Sequence, residues 1–273
     1  MDTVQKSLID YEKPPLIEVV CGVLFNPISS FLAPHFGLLW EKYKPEYSSC
    51  REVAPLTPII EKFEGAPEVK IEIGEIPPLP RIWFMSEKQN GLIQVQRDRF
   101  LHNWRKIHPT DEYPRYHTVI EKFQAYLSVF RTFLDNNDLG KLDLLQYEMT
   151  YVNHIPQGEG WEKNEDIRNL FPDFGLRSSN NRFLPTPEGM NWRTSFVLPN
   201  NAGRLHVTIR QVILREGNRP MILLELTARG IGEFKSSEKI WDWFNLARQW
   251  IVFGFVDLTS KEVQKKIWKR RDS

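Results

Sequence analysis

Residues 81–105 read RIWFMSEKQNGLIQVQRDRFLHNWR. Asn90-Gly91 falls between two runs rich in β-branched and aromatic residues. Asn-Gly readily takes the positive φ angles of a tight type I′ turn, so the stretch predicts a β-hairpin. The second strand then runs unbroken to Arg105 and turns polar on the way: Gln94, Gln96, Arg97, Asp98, Arg99, His102, Asn103, Trp104 and Arg105. With the two-residue period of a strand, Gln94, Gln96 and Asp98 share one side, and Ile93, Val95 and Arg97 the other. A long mixed-charge strand ending in an aromatic residue is a poor filler for an apolar core, so something polar is expected to face it.

Upstream, 16–25 (LIEVVCGVLF) reads as a mostly buried strand. Ser29 or Ser30 can cap a following helix whose Leu32, Phe36, Leu39 and Tyr43 share one face, with Pro34 tolerated in the first turns. Residues 51–80 are punctuated by proline, with short strand candidates at 57–63 and 69–73. Downstream, Tyr116, Val119, Phe123, Leu127, Phe130 and Leu134 mark an amphipathic helix that Asn136, Asn137 and Gly140 end. The second half repeats the order. A strand at 144–155 precedes a short helix near 166–171, a Pro/Gly/Asn-rich loop at 172–189, and a meander at 191–198, 204–214 and 221–229 with turns PNNAG and EGNRP. Ser236 or Ser237 then caps a helix carrying Ile240, Phe244, Ala247 and Ile251. A last helix starts at Thr259, with Glu262 completing a capping box.

The order predicts an α+β protein of two pseudo-repeated β-α-β-meander-α halves, 1–140 and 141–273, each a curved antiparallel sheet cradling helices. Ile17-Glu18-Val19 and Tyr147-Glu148-Met149 align loosely as the opening strands. The halves can share one continuous saddle-like or helix-grip-like sheet.

The chain has 273 residues, 41% of them apolar and 26% charged, which suits a globular protein able to bury a sizeable core. Thirty-six basic against 35 acidic side chains give no global attraction to nucleic acid or anionic membranes, leaving only local patches to do so. Cys21 and Cys50 make no disulfide framework, and a reducing cytoplasm is the simplest compartment. No signal peptide precedes the first strand, and no apolar run approaches the ~20 residues that span a bilayer.

Several strings together resemble a sporadically distributed, functionally uncharacterised prokaryotic protein family: PPLIEVVCGVLFNP at 14–27, IQVQRDRFLHNWR at 93–105 with YPRY at 113–116, YEMTYVNHI at 147–155 and FVDLTSKEVQKKIW at 255–268. The resemblance implies a soluble accessory gene product of patchy inheritance, as in mobile or defence-type loci. It carries over no catalytic residues.

P-loop, GxGxxG, GxSxG, HExxH and CxxC motifs are absent, and His35, His102, His108, His117, His154 and His206 show no metal-ligand spacing. No cofactor or metal is expected. The candidate cleft gathers Gln94, Gln96, Arg97, Arg99, His102, Trp104 and Arg105 from the polar strand with Tyr151, Asn153 and His154 from the equivalent strand of the second half. Arg97, Arg99 and Arg105 can instead pair with Glu18, Glu148 or Glu225 in a buried network, or the groove can take an anionic or planar ligand. The basic terminal helix offers Lys265, Lys266, Lys269, Arg270 and Arg271 as phosphate contacts, and the meander adds Arg204, His206, Arg210 and Arg215. The leading expectation is a non-enzymatic interaction protein, a subunit, sensor or regulator in a prokaryotic defence or toxin–antitoxin type locus, whose protein partner is encoded nearby. Nucleic-acid binding and an enzyme or anionic-ligand receptor near Arg97 and His154 are the alternatives.

Overall fold

Ten residues of LIEVVCGVLF form β1 (Leu16–Phe25), and thirteen form β6 (Leu144–Pro156). They pair antiparallel at the centre of one open nine-stranded sheet. The remaining strands are β2 (Ser49–Val53), β3 (Arg81–Met85), β4 (Gly91–Gln96), β5 (Arg99–Arg105), β7 (Asn191–Val197), β8 (Arg204–Leu214) and β9 (Arg219–Gly230). Outward from the central pair the order is β5, β4, β3, β2 on one side and β9, β8, β7 on the other. All neighbouring strands run antiparallel. The computed structural model describes residues 9–63, 68–69, 79–174, 183–185, 187–214, 217, 219–230 and 237–271.

Helices α1 (Ala33–Tyr43), α2 (Arg115–Asn136) and α3 (Ser237–Leu258) cover one face. The short α4 (Lys261–Lys266) follows α3. Two β-period faces result. Val19, Cys21 and Val23, Phe100, His102 and Trp104, and Tyr147, Met149 and Tyr151 point toward the helices and are at most 8% exposed. Phe100 stacks on Phe130 of α2 with ring centroids 5.0 Å apart, and Tyr147 meets Trp243 of α3 at 5.5 Å. This single cluster draws side chains from both halves of the chain. At ~25 cal/mol per Å² of apolar surface, such burial is the main source of stability.

The helix at 115–136 follows its predicted apolar spacing, with Tyr116, Val119, Phe123, Leu127, Phe130 and Leu134 all buried. The first helix buries Phe36, Leu39 and Tyr43, but Leu32 is its N-cap and is 49% exposed. Ser30 does not cap it; its hydroxyl donates to the Leu139 carbonyl at 2.6 Å.

The stretch 81–105 departs from its reading in two places. The left-handed residue in the β3–β4 connection is Gln89 (φ 58), not the Asn-Gly pair, and the turn closes through Gln89 N–H to the Ser86 carbonyl at 2.8 Å. The long polar strand is really two strands, because Arg97-Asp98 is a two-residue turn between paired Gln96 and Arg99. The N–H groups of Phe25 and Ile28 donate to the Asp98 and Arg97 carbonyls, which fastens that turn to the end of β1. A turn with ordinary negative φ angles needs neither Gly nor Pro, so nothing in its composition announces it.

The PNNAG turn between β7 and β8 holds Asn200 and Asn201 at φ 53, and Gly203 at φ 152. A Cβ on Gly203 would lie 2.0 Å from the Arg229 carbonyl oxygen. The same turn anchors α3, since the Trp243 indole donates to the Ala202 carbonyl at 2.8 Å. The predicted capping box at Thr259 is not formed: Ser260 is the N-cap of α4, and the Thr259 hydroxyl donates back to Phe255. Of the strand candidates at 57–63 and 69–73, only Ile59–Ile60 and Glu68–Val69 pair, and 70–73 lie outside the described residues.

Candidate functional site

The ten residues expected to line one cleft divide between the two faces of the sheet. Trp104, Val19 and Tyr151 are in register and point toward the helices, as do His102 and Asn153. Gln94, Gln96, Arg99, Arg105 and His154 lie on the opposite face, and Arg97 sits in a turn. Strand periodicity enforces this separation, because Tyr151 and His154 are an odd number of residues apart.

On the opposite face most of the polar side chains bond one another, although Arg81 Nε and Arg105 Nε are buried without a partner among the described residues. Gln94 accepts from Arg81 (2.8 Å) and the Trp83 indole (3.0 Å), and donates to Asn103 (2.8 Å). Asn103 in turn donates to Glu18 at 2.6 Å. Burial raises the Glu18 carboxyl above its usual range, against the pull of Asn103 and Arg105. Arg99 pairs with Asp98 (3.1 Å), Arg97 donates to the Phe31 carbonyl (2.9 Å) and Arg229 binds Glu148 (2.7 Å). Of the proposed partners, then, Glu18 has Arg105 for a neighbour, whereas Glu148 belongs to Arg229. His154 is half-buried, and burial lowers its pKa.

The helix-facing residues Tyr151 and Asn153 do line a cleft, one that the sequence pattern did not delimit. It has a volume of about 350 Å³ and lies where the N-terminus of α2 faces the C-terminal half of α3. Tyr151, Asn153 and Leu226 form its floor. Arg115, Tyr116 and His117 of α2 form one wall, and Arg248, Ile251 and Phe255 of α3 the other. Residues 9–16 close the third side. They are held there because Asp10–Tyr11 pairs with Arg270–Arg271, and the Tyr11 hydroxyl donates to Gln264 at 3.2 Å.

Three phenols meet in the cleft. The Tyr113 and Tyr151 hydroxyls are hydrogen-bonded at 3.1 Å, and the Tyr116 hydroxyl donates to Asn245 at 2.9 Å. Burial pushes Tyr113 up to about 12 and raises Tyr116 and Tyr151 as well, so all three stay neutral. Arg248 opposes the rise at each of them, which places its charge within reach of the whole group.

The two arginines differ. Arg115, at φ 71, bonds the Asp10 carboxylate. Arg248 lies 4.5 Å over the Tyr116 ring and makes no ion pair among the described residues. A half-buried guanidinium without a carboxylate partner, beside the orphan N–H groups of a helix start, favours an anion. Leu226, Ile251, Val252 and Phe255 give the cleft an apolar part that favours a ligand with an apolar body. Tyr151, Asn153 and, as a stacking residue, Tyr116 were within reach of the sequence, but Arg248 was not. The string YPRY at 113–116 was the available signal for Tyr113, Arg115 and Tyr116.

His102 is 2% exposed, edge-on to Tyr126, with its pKa lowered to about 3 by burial first and by Lys122 second. Neutral and enclosed, it is a core residue. The terminal cations are also not aligned on one helix face. The helix stops at Lys266, which pairs with Glu262 at 2.6 Å; Lys269 has φ 54. Arg270 donates to Gln264 and Arg271 approaches Glu12 at 4.0 Å. Lys265 is exposed. Arg204 and His206 bind Glu61, and Arg215 lies outside the described residues. Among the described residues no group of three or more His, Cys, Asp or Glu side chains is placed to hold a metal, and no helix is long and apolar enough to cross a membrane. No protein-family model, no curated protein and no solved structure matches the chain.

Proposed function

We propose that this protein is a non-enzymatic receptor, a sensor or regulatory subunit that binds a small anion with an apolar body in the cleft between α2 and α3. The observation that carries this reading is Arg248, an arginine without an ion-pair partner among the described residues, set above a buried tyrosine in a cleft whose α3 side is lined by Ile251, Val252 and Phe255. The guanidinium and the start of α2 take the charged group, the tyrosine hydroxyls orient it, and Leu226, Ile251 and Phe255 cover the rest. The chain is an internal duplication, supported by the matching strand order on either side of the central pair. Its setting is a prokaryotic defence or toxin–antitoxin type locus with a partner encoded nearby.

Titration calorimetry with octanoate, phenylacetate and indole-3-carboxylate, each against its neutral primary amide, tests the receptor. At least one carboxylate is expected to bind, its amide at least tenfold more weakly. Arg248→Met is expected to remove that preference while leaving the melting temperature unchanged. Failure of every carboxylate to bind, or equal binding by the variant, would rule the reading out.

A further inference from the structure

Segment 54–63 crosses the polar face of the sheet, opposite the helices. The Gln96 side chain bonds both the N–H and the carbonyl of Leu56, at 2.9 and 3.0 Å. The Gln146 side chain does the same farther along, donating to the Ile59 carbonyl (3.0 Å) and accepting from the Glu61 N–H (2.8 Å). A primary amide used this way reproduces the donor–acceptor pair of a neighbouring strand and reads backbone, not side chains. The carboxylate of Glu61 is then enclosed, its side chain only 2% exposed. Arg204 donates to it at 2.8 Å, His206 bonds it at 2.5 Å, and Arg229 approaches to 4.0 Å.

Two of the segment's apolar side chains take little part, whereas Ile60 and Phe63 are half-buried and Phe63 lies under the Arg204 guanidinium at 4.5 Å. Leu56 is 37% and Ile59 39% exposed, and the floor beneath them is polar. A permanent structural segment ordinarily buries its large apolar residues, whereas this one is held mainly by polar contacts: the two amides, the Glu61 carboxylate, Arg204 donating to the Lys62 carbonyl at 2.7 Å, and a two-residue pairing of Ile59–Ile60 with Glu68–Val69. Such polar contacts exchange with water at a small net cost, unlike core contacts. The segment is therefore of the kind that opens without unfolding the sheet.

We propose that this face is a docking site for an extended, acidic segment of a partner protein, which residues 54–63 occupy in cis. The Arg204–His206–Arg229 pocket demands a carboxylate. The two glutamines demand only extended backbone, with the residue that bonds Gln96 placed five before the acidic one. The site stands apart from the cleft between α2 and α3, on the other side of the sheet.

A fluorescent peptide of residues 54–63 is the probe, with a second peptide carrying Glu61→Gln. The full chain with Glu61→Ala, its own carboxylate gone, is expected to bind the first peptide at least tenfold more tightly than the unaltered chain does, and the second peptide at least tenfold more weakly than the first. A folded Glu61→Ala protein that binds neither peptide, or both equally, would overturn the proposal. If Glu61→Ala does not fold, hydrogen exchange on the unaltered chain decides. Excess acidic peptide is then expected to speed exchange at the Leu56 and Glu61 amides and leave the sheet amides unchanged; no acceleration overturns the proposal. A dimer of the unaltered chain that excess acidic peptide does not dissociate assigns the site to the segment of a second copy, and also overturns it.

Discussion

The helix-covered face and the polar face are built from the same nine strands, residue alternating with residue, yet different forces hold what lies on them. On the first, Phe100, Phe123 and Phe130 stack in a dry layer. On the second, Gln94, Asn103 and Glu18 link strand to strand through side-chain hydrogen bonds, and a ten-residue segment rests on amides and a carboxylate. Burying apolar area gives a large, non-directional gain, whereas exchanging water for a protein hydrogen bond gives little. The difference divides the molecule into a face that maintains the fold and a face whose contacts can be remade.

The sharpest way to break this comparison is Phe130→Ala. Loss of a fully buried ring should cost about 3–5 kcal/mol of unfolding free energy in urea titrations. Gln146→Ala should cost less, about 1–3 kcal/mol, because it leaves the Ile59 carbonyl and Glu61 N–H without their partner. Equal losses would show that both faces carry the fold alike.

Acid should distinguish two other groups. His102 is neutral when folded, with its pKa lowered to about 3, so between its ordinary value near 6.5 and 3 the unfolded chain binds the extra proton. Stability should therefore rise with pH across that window and fall away on acidification. His102→Phe should flatten the slope of melting temperature against pH there. Glu61 is lowered too: burial opposes ionisation, and His206 and Arg204 overcome it. Its contribution is complete above the ordinary carboxylate range and lost as pH falls through the lowered value. In Glu61→Gln, protection of the Leu56 amide and of the amide at position 61 against exchange should fall at neutral pH and lose its acid dependence. Smallest of all, Lys265→Ala with Lys269→Ala should change stability by less than about 0.5 kcal/mol in the same urea titrations.

Much of the framework was legible. α2 announced itself through Tyr116, Val119, Phe123, Leu127 and Phe130 at helical spacing, and β1 and β6 through apolar runs. The α+β class followed from their order, and the sheet is continuous. The Arg97-Asp98 turn was not legible, because its geometry is open to most residue pairs. Placing Tyr151 and His154 in one cleft ignored a rule already in hand, since period two sends them to opposite faces. Arg248 was beyond reach for another reason. Its role depends on how α3 packs beside α2, which no local pattern encodes. Gln146 and Glu61 meet across 85 residues, equally out of view.

Residues 10 and 11 lie against 271 and 270, so the described chain comes back to where it set out, and it does so on the rim of the cleft. A circular permutant that joins these two segments and opens in an exposed turn should keep every strand pairing. Conversely, fluorophores attached at the exposed Glu12 and Lys269 would sit beside the rim of the cleft, and a change in energy transfer between them on adding a carboxylate would report occupancy of the proposed site.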